Sequence, residues 1–203
     1  MTHFILGIAG ASGSGKSYLA NLLLTKFSQN CIVINQDNYY LSFDKLSSKE
    51  RSKLNFDHPF IIDWKLLKKH LLSLKSGKSI KTPRYSFSRH LRLKQTRIIQ
   101  PKPLIIFEGI FALYEEIRPL LSYTIFLDTD KEMCFQRRLK RDIHERGRKE
   151  KDVINQYNST VNPGFKEHIF PTKDYADLSI KDNNYLELFQ QLRLIVQADK
   201  YNL

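Results

Sequence analysis

The chain has 203 residues, of which 41% are hydrophobic and 27% charged, and its formal net charge at pH 7 is +12. This length suits a single α/β domain, over residues 1–203, with a substantial core. No apolar run approaches the roughly 20 residues of a membrane span, and the start lacks a basic leader. We therefore expect a cytoplasmic protein outside the membrane, in which the widely separated Cys31 and Cys134 are buried, reduced thiols.

The first predicted strand, at residues 3–8, leads into the stretch Gly10-Ala11-Ser12-Gly13-Ser14-Gly15-Lys16-Ser17. This stretch fits the phosphate-loop pattern GxxxxGK[ST], in which backbone N–H groups face a polyphosphate. Lys16 would reach the outer phosphates, and Ser17 would offer its hydroxyl to Mg²⁺. Apolar residues at helical spacing predict a helix at 16–27, so strand, glycine turn and helix follow in the order that a polyphosphate site requires.

The remaining elements alternate along the chain. Continuous apolar runs predict further strands near residues 31–34, 103–107, 123–127 and 176–180. Helical spacing predicts further helices at residues 64–74, 131–146, 150–161 and 185–198. We predict an α/β fold of the phosphate-loop NTPase type, with an open parallel five-stranded sheet and helices on both faces. At residues 79–100, Tyr85 and Phe87 follow Pro83 at a spacing of two, which predicts an inserted β-hairpin.

Acidic residues follow two of the predicted strands. Asp37 comes after the strand at 31–34, and Glu108 ends the strand at 103–107. In an open parallel sheet, ligand sites gather where the strands end. Asp37 could accept the proton of an attacking hydroxyl, or it could form a cap or turn. Glu108 is expected on the Mg²⁺ side of a phosphate site, with an ordinary surface acid as the alternative.

The positive charge is concentrated in two regions. Residues 64–107 contain twelve Lys or Arg and no acid, and residues 131–151 contain nine basic residues against four acidic ones. Such surfaces can bind nucleic acid through its phosphates, or they can draw small polyanions such as nucleoside triphosphates into a cleft. The charge alone does not decide between these functions.

Part of the second basic region is predicted to form a lid, at residues 136–150. Arg138 and Arg141 lie three residues apart and share a helix face, and Gly147 permits a turn. Guanidinium groups that close over a triphosphate would offset the charge on the transferring phosphoryl group. The alternative interpretation is an exposed basic helix.

These motifs together resemble the uridine kinase (uridine–cytidine kinase) family of phosphate-loop nucleoside kinases. The resemblance runs in order from about residue 4 to residue 180 and rests on residues 4–17, Gln36–Tyr40, Asn55–Pro59, Pro83–Tyr85 with His90, Phe107–Ile110, Asp128–Thr129, Arg137–Arg138, Arg141–Asp142, Glu145–Arg148, Gln156–Tyr157 and Tyr175–Asp177. It implies transfer of the γ-phosphoryl group of Mg²⁺-bound ATP to the 5′-hydroxyl of uridine or cytidine.

The resemblance also implies roles for single residues. Asp37 would be the base that faces the nucleoside 5′-hydroxyl, with Ser17 and Glu108 on the magnesium side. The groups expected to take part in catalysis are Asp37, Lys16 and Arg141. The ATP phosphates would be held by the lid and the phosphate loop, that is by Arg141, Arg146, Gly10, Ala11, Ser12, Gly13, Ser14, Gly15, Lys16 and Ser17.

On the nucleoside side, the resemblance implies that Asp57 accepts hydrogen bonds from the ribose hydroxyls. Tyr85 and His90 would contact the pyrimidine, because a ring can stack on a base and an imidazole can bond to its edge. Further nucleoside contacts are implied for Arg138, Arg148 and Gln156. Considered without the family, Tyr85 fits a sheet core, His90 a turn and Asp57 a cap.

Some positions depart from the family pattern. Ser86 and Phe60 stand where acids are common in the family, and residues 180–184 lack its Pro-Arg-Gly loop, so GTP stays open beside ATP as the donor. The alternative function is a phosphoribulokinase-like or other small-metabolite kinase. A nucleic-acid-binding NTPase is more remote, so nucleic acid is not expected as a partner. The family suggests a homo-oligomer, specifically a tetramer.

Overall fold

The computed structural model describes residues 3–181, 185 and 188–191. The strands within these residues are β1 (Phe4–Gly10), β2 (Cys31–Asn35), β3 (Ile80–Ser86), β4 (Leu91–Ile99), β5 (Leu104–Glu108), β6 (Tyr123–Leu127) and β7 (Leu178–Ile180). Five of them form a parallel sheet in the order β2-β5-β1-β6-β7, and β3 pairs with β4 as a separate antiparallel hairpin. The predicted five-stranded parallel sheet and inserted hairpin are confirmed.

Helices connect the strands. The α-helices are α1 (Lys16–Phe27), α2 (Ser48–Arg51), α3 (Trp64–Lys75), α4 (Lys131–His144), α5 (Glu150–Gln156) and α6 (Asn162–Gly164). Short 3₁₀-helices span Ser28–Asn30, Gln36–Tyr39, Pro59–Ile61, Arg118–Leu120 and Phe170–Tyr175, and π-helical turns span Tyr157–Val161 and Phe165–Ile169. Aspartates cap the N-termini of α3 and α4: Asp63 accepts a hydrogen bond from the backbone of α3, and Asp130 does the same for α4.

Strand β1 is the central strand of the sheet, and all seven of its residues are buried. Because successive side chains point to opposite faces, Ile5 joins one core and Leu6 the other. Leu67 of α3 packs in the first core, and Leu19 of α1 packs in the second. The sheet is thus covered on both faces, and the ligand-accessible positions are left at its carboxyl edge.

The hairpin is held over that edge by an arginine. Arg92, on β4, pairs with Asp63 at 3.0 Å and donates to the backbone oxygens of Tyr40 (3.0 Å) and Tyr39 (3.1 Å). Tyr39 and Tyr40 follow β2, and Asp63 precedes α3. The side chain of Arg92 therefore connects the hairpin to the segment after β2 and to the start of α3. A bulge after Pro83 also shifts the register of β3 against β4.

The prediction of one α-helix over 150–161 is wrong beyond the end of α5. There the backbone widens into the π-helical turn Tyr157–Val161, whose closing bond runs from the N–H of Asn162 to the carbonyl of Tyr157, five residues back. Pro163 follows at once, and because it has no N–H it cannot continue an ordinary α-helical ladder. Residues 157–175 form a continuous run of π-, α- and 3₁₀-helical turns that their sequence pattern does not predict.

Other differences lie at element ends. The strand predicted at 176–180 is shorter in the structure, because β7 begins at Leu178. The side chain of Asp177, just before it, accepts a 2.8 Å hydrogen bond from the backbone N–H of Thr124. The helix predicted at 185–198 falls mainly outside the described residues, of which 188–191 are helical, and Leu188 is buried. The loop at 180–184 also lies largely outside them.

Cys31 and Cys134 are both free and buried, as predicted. Within the part of the chain that is described, no helix is both long enough and apolar enough to cross a membrane.

Candidate active site

A cleft of about 280 Å³ lies at the carboxyl edge of the sheet, beside the ends of β1, β2 and β5. Every predicted site residue outside the phosphate loop lines it: Asp37, Asp57, Tyr85, His90, Glu108, Arg138, Arg141, Arg146, Arg148 and Gln156. Within the loop, the lining residues are Ser12, Gly13, Gly15, Lys16 and Ser17. The remaining predicted loop residues, Gly10, Ala11 and Ser14, do not line the cleft. Residues far apart in sequence therefore meet in one place.

The phosphate loop has the conformation that its glycines predict. Gly13 has a φ of +88°, and a Cβ there would collide with the carbonyl oxygen of Cys134 on α4, so the position admits only glycine. The ammonium group of Lys16 donates to the carbonyls of Gly10 (3.0 Å) and Ala11 (2.7 Å). Helix α1 begins at Lys16 with no acidic residue in its first turn, so its positive end stays available to an anion.

Glu108 forms the acidic side of the cleft. Its Oε1 accepts hydrogen bonds from the hydroxyl of Ser17 at 3.1 Å and from the side-chain amide of Asn35 at 2.5 Å. Burial raises the pKa of Glu108 to about 7, although Lys16 and the two hydrogen bonds act against burial. Carboxylate and hydroxyl oxygens are ligands that Mg²⁺ prefers, and a cation here would offset the cost of the buried negative charge. The residues present therefore fit a magnesium ion.

Asp37 lies two residues beyond the end of β2, in the same cleft as Glu108. The cap of the 3₁₀-helix Gln36–Tyr39 is Asn35, whose side-chain oxygen accepts from the backbone N–H of Asp37 at 2.7 Å. The capping role that the sequence left open for Asp37 thus belongs to Asn35. The carboxylate of Asp37 lines the cleft, where it is half-buried.

Aromatic side chains line the cleft where the hairpin borders it. His90 stacks on Phe56 with ring centres 5.3 Å apart, and Tyr85 meets Tyr40 edge-on at 5.0 Å. Tyr40, Phe56 and Phe87 were not predicted as site residues. Phe87 could have been found, because it lies two residues beyond Tyr85 and so shares its face of the hairpin.

The hairpin residues fit both interpretations that the sequence offered. His90 has a φ of +47° in the turn of the hairpin, and it also lines the cleft. Burial, with the charges of Arg148 and Arg146, lowers the pKa of His90, so its ring is neutral at pH 7 and can both donate and accept. Tyr85 is half-buried against the core and lines the cleft as well.

Asp57 is a buried carboxylate with spare hydrogen-bonding capacity. Its side chain is 5% exposed, and one oxygen lies 4.0 Å from Arg138. Burial raises the pKa of Asp57. The positive charge of Arg138 acts to lower this pKa, and the negative charge of Asp37 acts to raise it further. Among the described residues, neither Oδ2 of Asp57 nor the hydroxyl of Tyr85 has a hydrogen-bond partner. Buried polar atoms without partners are uncommon, and at a cleft they are available to a ligand.

The predicted lid lies where α4 ends and the chain turns into α5. Arg138 donates to Ser12 at 2.9 Å and to Gln156 at 3.1 Å, which joins α4 to both the phosphate loop and α5. Arg137 lines the cleft too and was missed. None of the twelve basic residues at 64–107, a range that is described throughout, lines the cleft. The positive charge at the site therefore comes from α4, the following turn and Lys16.

The chain is similar to known proteins over most of its length. Residues 5–186 match the family described as Phosphoribulokinase / Uridine kinase family. The uridine kinases of Yersinia enterocolitica and Yersinia pestis are 45% and 44% identical to the chain over 182 residues, which is 87% of this chain and 85% of each relative.

Solved structures share the fold at low sequence identity. Phosphoribulokinase from Rhodobacter spheroides has a TM-score of 0.65 at 13% identity, covering 89% of this chain and 70% of that one. D-glycerate 3-kinase from Cryptococcus neoformans has a TM-score of 0.63 at 15% identity, covering 85% of this chain and 80% of that one. The resemblance found in the sequence is confirmed by the family match and by the identity to uridine kinases, and the chain belongs to the phosphoribulokinase / uridine kinase family.

Proposed function

We propose that the protein transfers the γ-phosphoryl group of Mg²⁺-bound ATP to the 5′-hydroxyl of uridine or cytidine. The observation that carries the proposal is that one cleft contains a phosphate loop, a carboxylate after β2 and a hairpin with an aromatic and an imidazole side chain. The uridine kinase relatives, at 45% identity, support uridine as the acceptor over a sugar phosphate.

The nucleoside would be bound at the aromatic end of the cleft. The unpartnered Oδ2 of Asp57 can accept hydrogen bonds from vicinal ribose hydroxyls, which would repay the cost of its burial. Tyr85 offers a ring face, and neutral His90 can bond to the base edge as donor or acceptor. This arrangement would direct the 5′-hydroxyl toward Asp37.

In the reaction, the 5′-oxygen forms a bond to the γ-phosphorus as the bond to the β,γ-bridging oxygen breaks, and ADP leaves. Asp37 accepts the hydroxyl proton. Lys16 and Arg141 offset the charge on the phosphates, and because such transition states are loose, alignment and charge compensation supply most of the acceleration. Ser17 and Glu108 would hold Mg²⁺, which neutralises phosphate charge when it is bound.

Several finer points stay predictions. The choice of ATP over GTP depends in part on residues 180–184, which are mostly outside the described part of the chain. The use of cytidine, the cytoplasmic location and the homo-oligomeric state are likewise expectations from the sequence and the family.

The test is an ADP-release assay with Mg²⁺-ATP against uridine, cytidine, deoxyuridine, ribulose 5-phosphate and RNA. We expect turnover with uridine or cytidine and a much lower kcat/KM for deoxyuridine, because Asp57 would lose a hydrogen-bond partner. Turnover with ribulose 5-phosphate alone, or RNA-stimulated hydrolysis without a nucleoside product, would contradict the proposal. Equal kcat/KM for uridine and deoxyuridine would contradict the proposed role of Asp57 in ribose binding.

A further inference from the structure

Asp142, on α4, is fully buried beside the cleft and lies at the centre of an arginine cluster. The nitrogen-to-oxygen distances to its carboxylate are 3.7 Å from Arg138, 2.8 Å from Arg141, 3.2 Å from Arg146 and 3.4 Å from Arg148. Burial alone would raise the pKa of Asp142, but the neighbouring guanidinium groups outweigh burial and hold that pKa below its usual value. The carboxylate is therefore ionised at neutral pH.

The two oxygens of this carboxylate divide the arginines into two pairs. Oδ1 contacts Arg141 and Arg146, the two residues assigned to the triphosphate. Oδ2 contacts Arg138 and Arg148, the two residues assigned to the nucleoside. One buried side chain thus touches both halves of the site.

We propose that Asp142 is a positioning residue for both substrates, with Oδ1 fixing the arginines of the donor side and Oδ2 fixing those of the acceptor side. The naming of the two sides rests on the proposed function. Asp142 itself would contact neither substrate, because the arginines lie between it and the cleft that they line.

The charges explain why the arginines need such a residue. Four guanidinium groups near one point repel each other, and burial together with the charge of Arg141 lowers the pKa of Arg146. One carboxylate offsets part of this repulsion and leaves a positive excess for the phosphates. Each guanidinium has five N–H donors in a fixed plane, so a group anchored through one edge can still present the other.

The backbone supports the same geometry. The N–H of Arg148 donates to the carbonyl oxygen of Asp142 at 3.0 Å, which closes the turn between α4 and α5. Gly147 makes this turn with a φ of +63°. The side chain and the backbone of Asp142 therefore both contact Arg148 and hold it beside the cleft.

The test compares Asp142→Asn with Asp142→Glu. Asparagine has nearly the same shape but no charge, and its NH₂ group would face one arginine pair as a donor. We expect KM for both ATP and uridine to rise about tenfold or more, and glutamate to recover part of both values. The control is Asp177→Asn, which removes a carboxylate that accepts hydrogen bonds from Thr124 and does not line the cleft.

A merely structural role gives a different result. Loss of folded protein lowers kcat through the active fraction and leaves both KM values unchanged, as we expect for Asp177→Asn. The same pattern in Asp142→Asn, or a rise in only one KM, would overturn the proposal. If Asp142→Asn does not fold, Asp142→Glu is the test variant. The proposal then requires that both of its KM values exceed those of the wild type while its unfolding temperature stays close to that of the wild type.

A binding measurement separates this proposal from the proposed function. Calorimetric titration with inorganic tripolyphosphate needs no catalysis, and we expect Asp142→Asn to bind it about tenfold more weakly than the wild type. Unchanged or tighter binding would overturn the positioning role, and tighter binding would identify Asp142 as a competitor of the phosphates. A wild type that binds tripolyphosphate but does not phosphorylate uridine would contradict the proposed function alone.

Discussion

The guanidinium carbon of Arg146 lies 4.1 Å from the centre of the Phe87 ring. Arg146 belongs to the turn after α4, on the side of the cleft proposed for the triphosphate, and Phe87 belongs to the turn of the hairpin, on the side proposed for the nucleoside. Phe87 also meets Tyr85 edge-on, with ring centres 5.5 Å apart. The two sides of the site are therefore in direct contact.

This contact gives a first prediction. Phe87→Leu removes the aromatic face, and a partly desolvated cation–π contact is worth about 0.5–2 kcal/mol. We expect KM for ATP to rise severalfold with little change in unfolding temperature, and Phe87→Tyr to restore the wild-type value. Steady-state kinetics with ATP as the varied substrate measures the effect.

The control for Phe87 uses a cation–π pair outside the cleft. Arg118 lies 3.6 Å from the centre of the Tyr175 ring, and neither residue lines the cleft. Tyr175→Leu should leave KM for ATP unchanged. An equal rise in KM in both variants, or none in Phe87→Leu, would show that the contact with Arg146 does not act on ATP binding.

A second prediction concerns stability and the burial of Asp57. Because burial raises the pKa of this acid in the folded state, folded molecules hold its proton more strongly than unfolded ones. Stability then falls as pH rises from the unfolded pKa, about 4, through the raised folded pKa. Asp57→Asn escapes this loss, so we expect it to unfold at a higher temperature than the wild type at pH 7, with the difference vanishing below about pH 4.

Thermal unfolding between pH 3.5 and pH 8 tests this sign. The same variant should lose activity on uridine, since a carboxamide offers the ribose hydroxyls one neutral acceptor oxygen in place of the two oxygens of a carboxyl group. Asp177→Asn is the opposite control: its carboxylate accepts from both the backbone and the hydroxyl of Thr124, so its loss should lower stability at pH 7. A destabilised Asp57→Asn at pH 7 would refute the burial argument.

Most of the fold was predictable because it follows from local patterns. Phe4–Gly10 is a continuous apolar run before a phosphate loop, and such a run is typical of a parallel strand that is covered on both faces. The mixed helix at 157–175 was not predictable in this way. Its course depends on Pro163 and on packing against Asp57, which lies more than a hundred residues earlier.

Site residues that belong to a sequence motif were predictable. Residues whose role depends on their contacts in three dimensions were less so. Lys16 and Glu108 follow from a loop pattern and a strand end. Asp142 is part of the family resemblance, but the sequence assigns it no role, because an acid among arginines on a helix resembles any solvated salt bridge. Its complete burial, and the division of its oxygens between two arginine pairs, exist only in three dimensions.

A third prediction concerns the close approach of α6 to the site. A Cβ at Gly164 would collide with the backbone oxygen of Asp57, so Gly164→Ala must displace one of the two segments. We expect a loss of about 1–3 kcal/mol in unfolding free energy and a raised KM for uridine. Gly147→Ala is the matched control, because Gly147 has open space around it and only its φ of +63° opposes a side chain.

Chemical denaturation of the two glycine variants separates these causes. Gly147→Ala should lose about 1 kcal/mol or less through backbone strain. A smaller loss in Gly164→Ala than in Gly147→Ala, with KM for uridine unchanged, would mean that the helix can move away from Asp57 without consequence.

The most direct test of the central claim is the amount of uridine 5′-monophosphate formed from Mg²⁺-ATP and uridine by the wild type and by Asp37→Asn. We predict one nucleotide per ADP released by the wild type, and a kcat about 10²–10⁴-fold lower in the variant, with ADP binding nearly unchanged. Absence of the 5′-monophosphate from the wild-type reaction would contradict the proposed reaction. Near wild-type turnover by Asp37→Asn would contradict the role of Asp37 as the base.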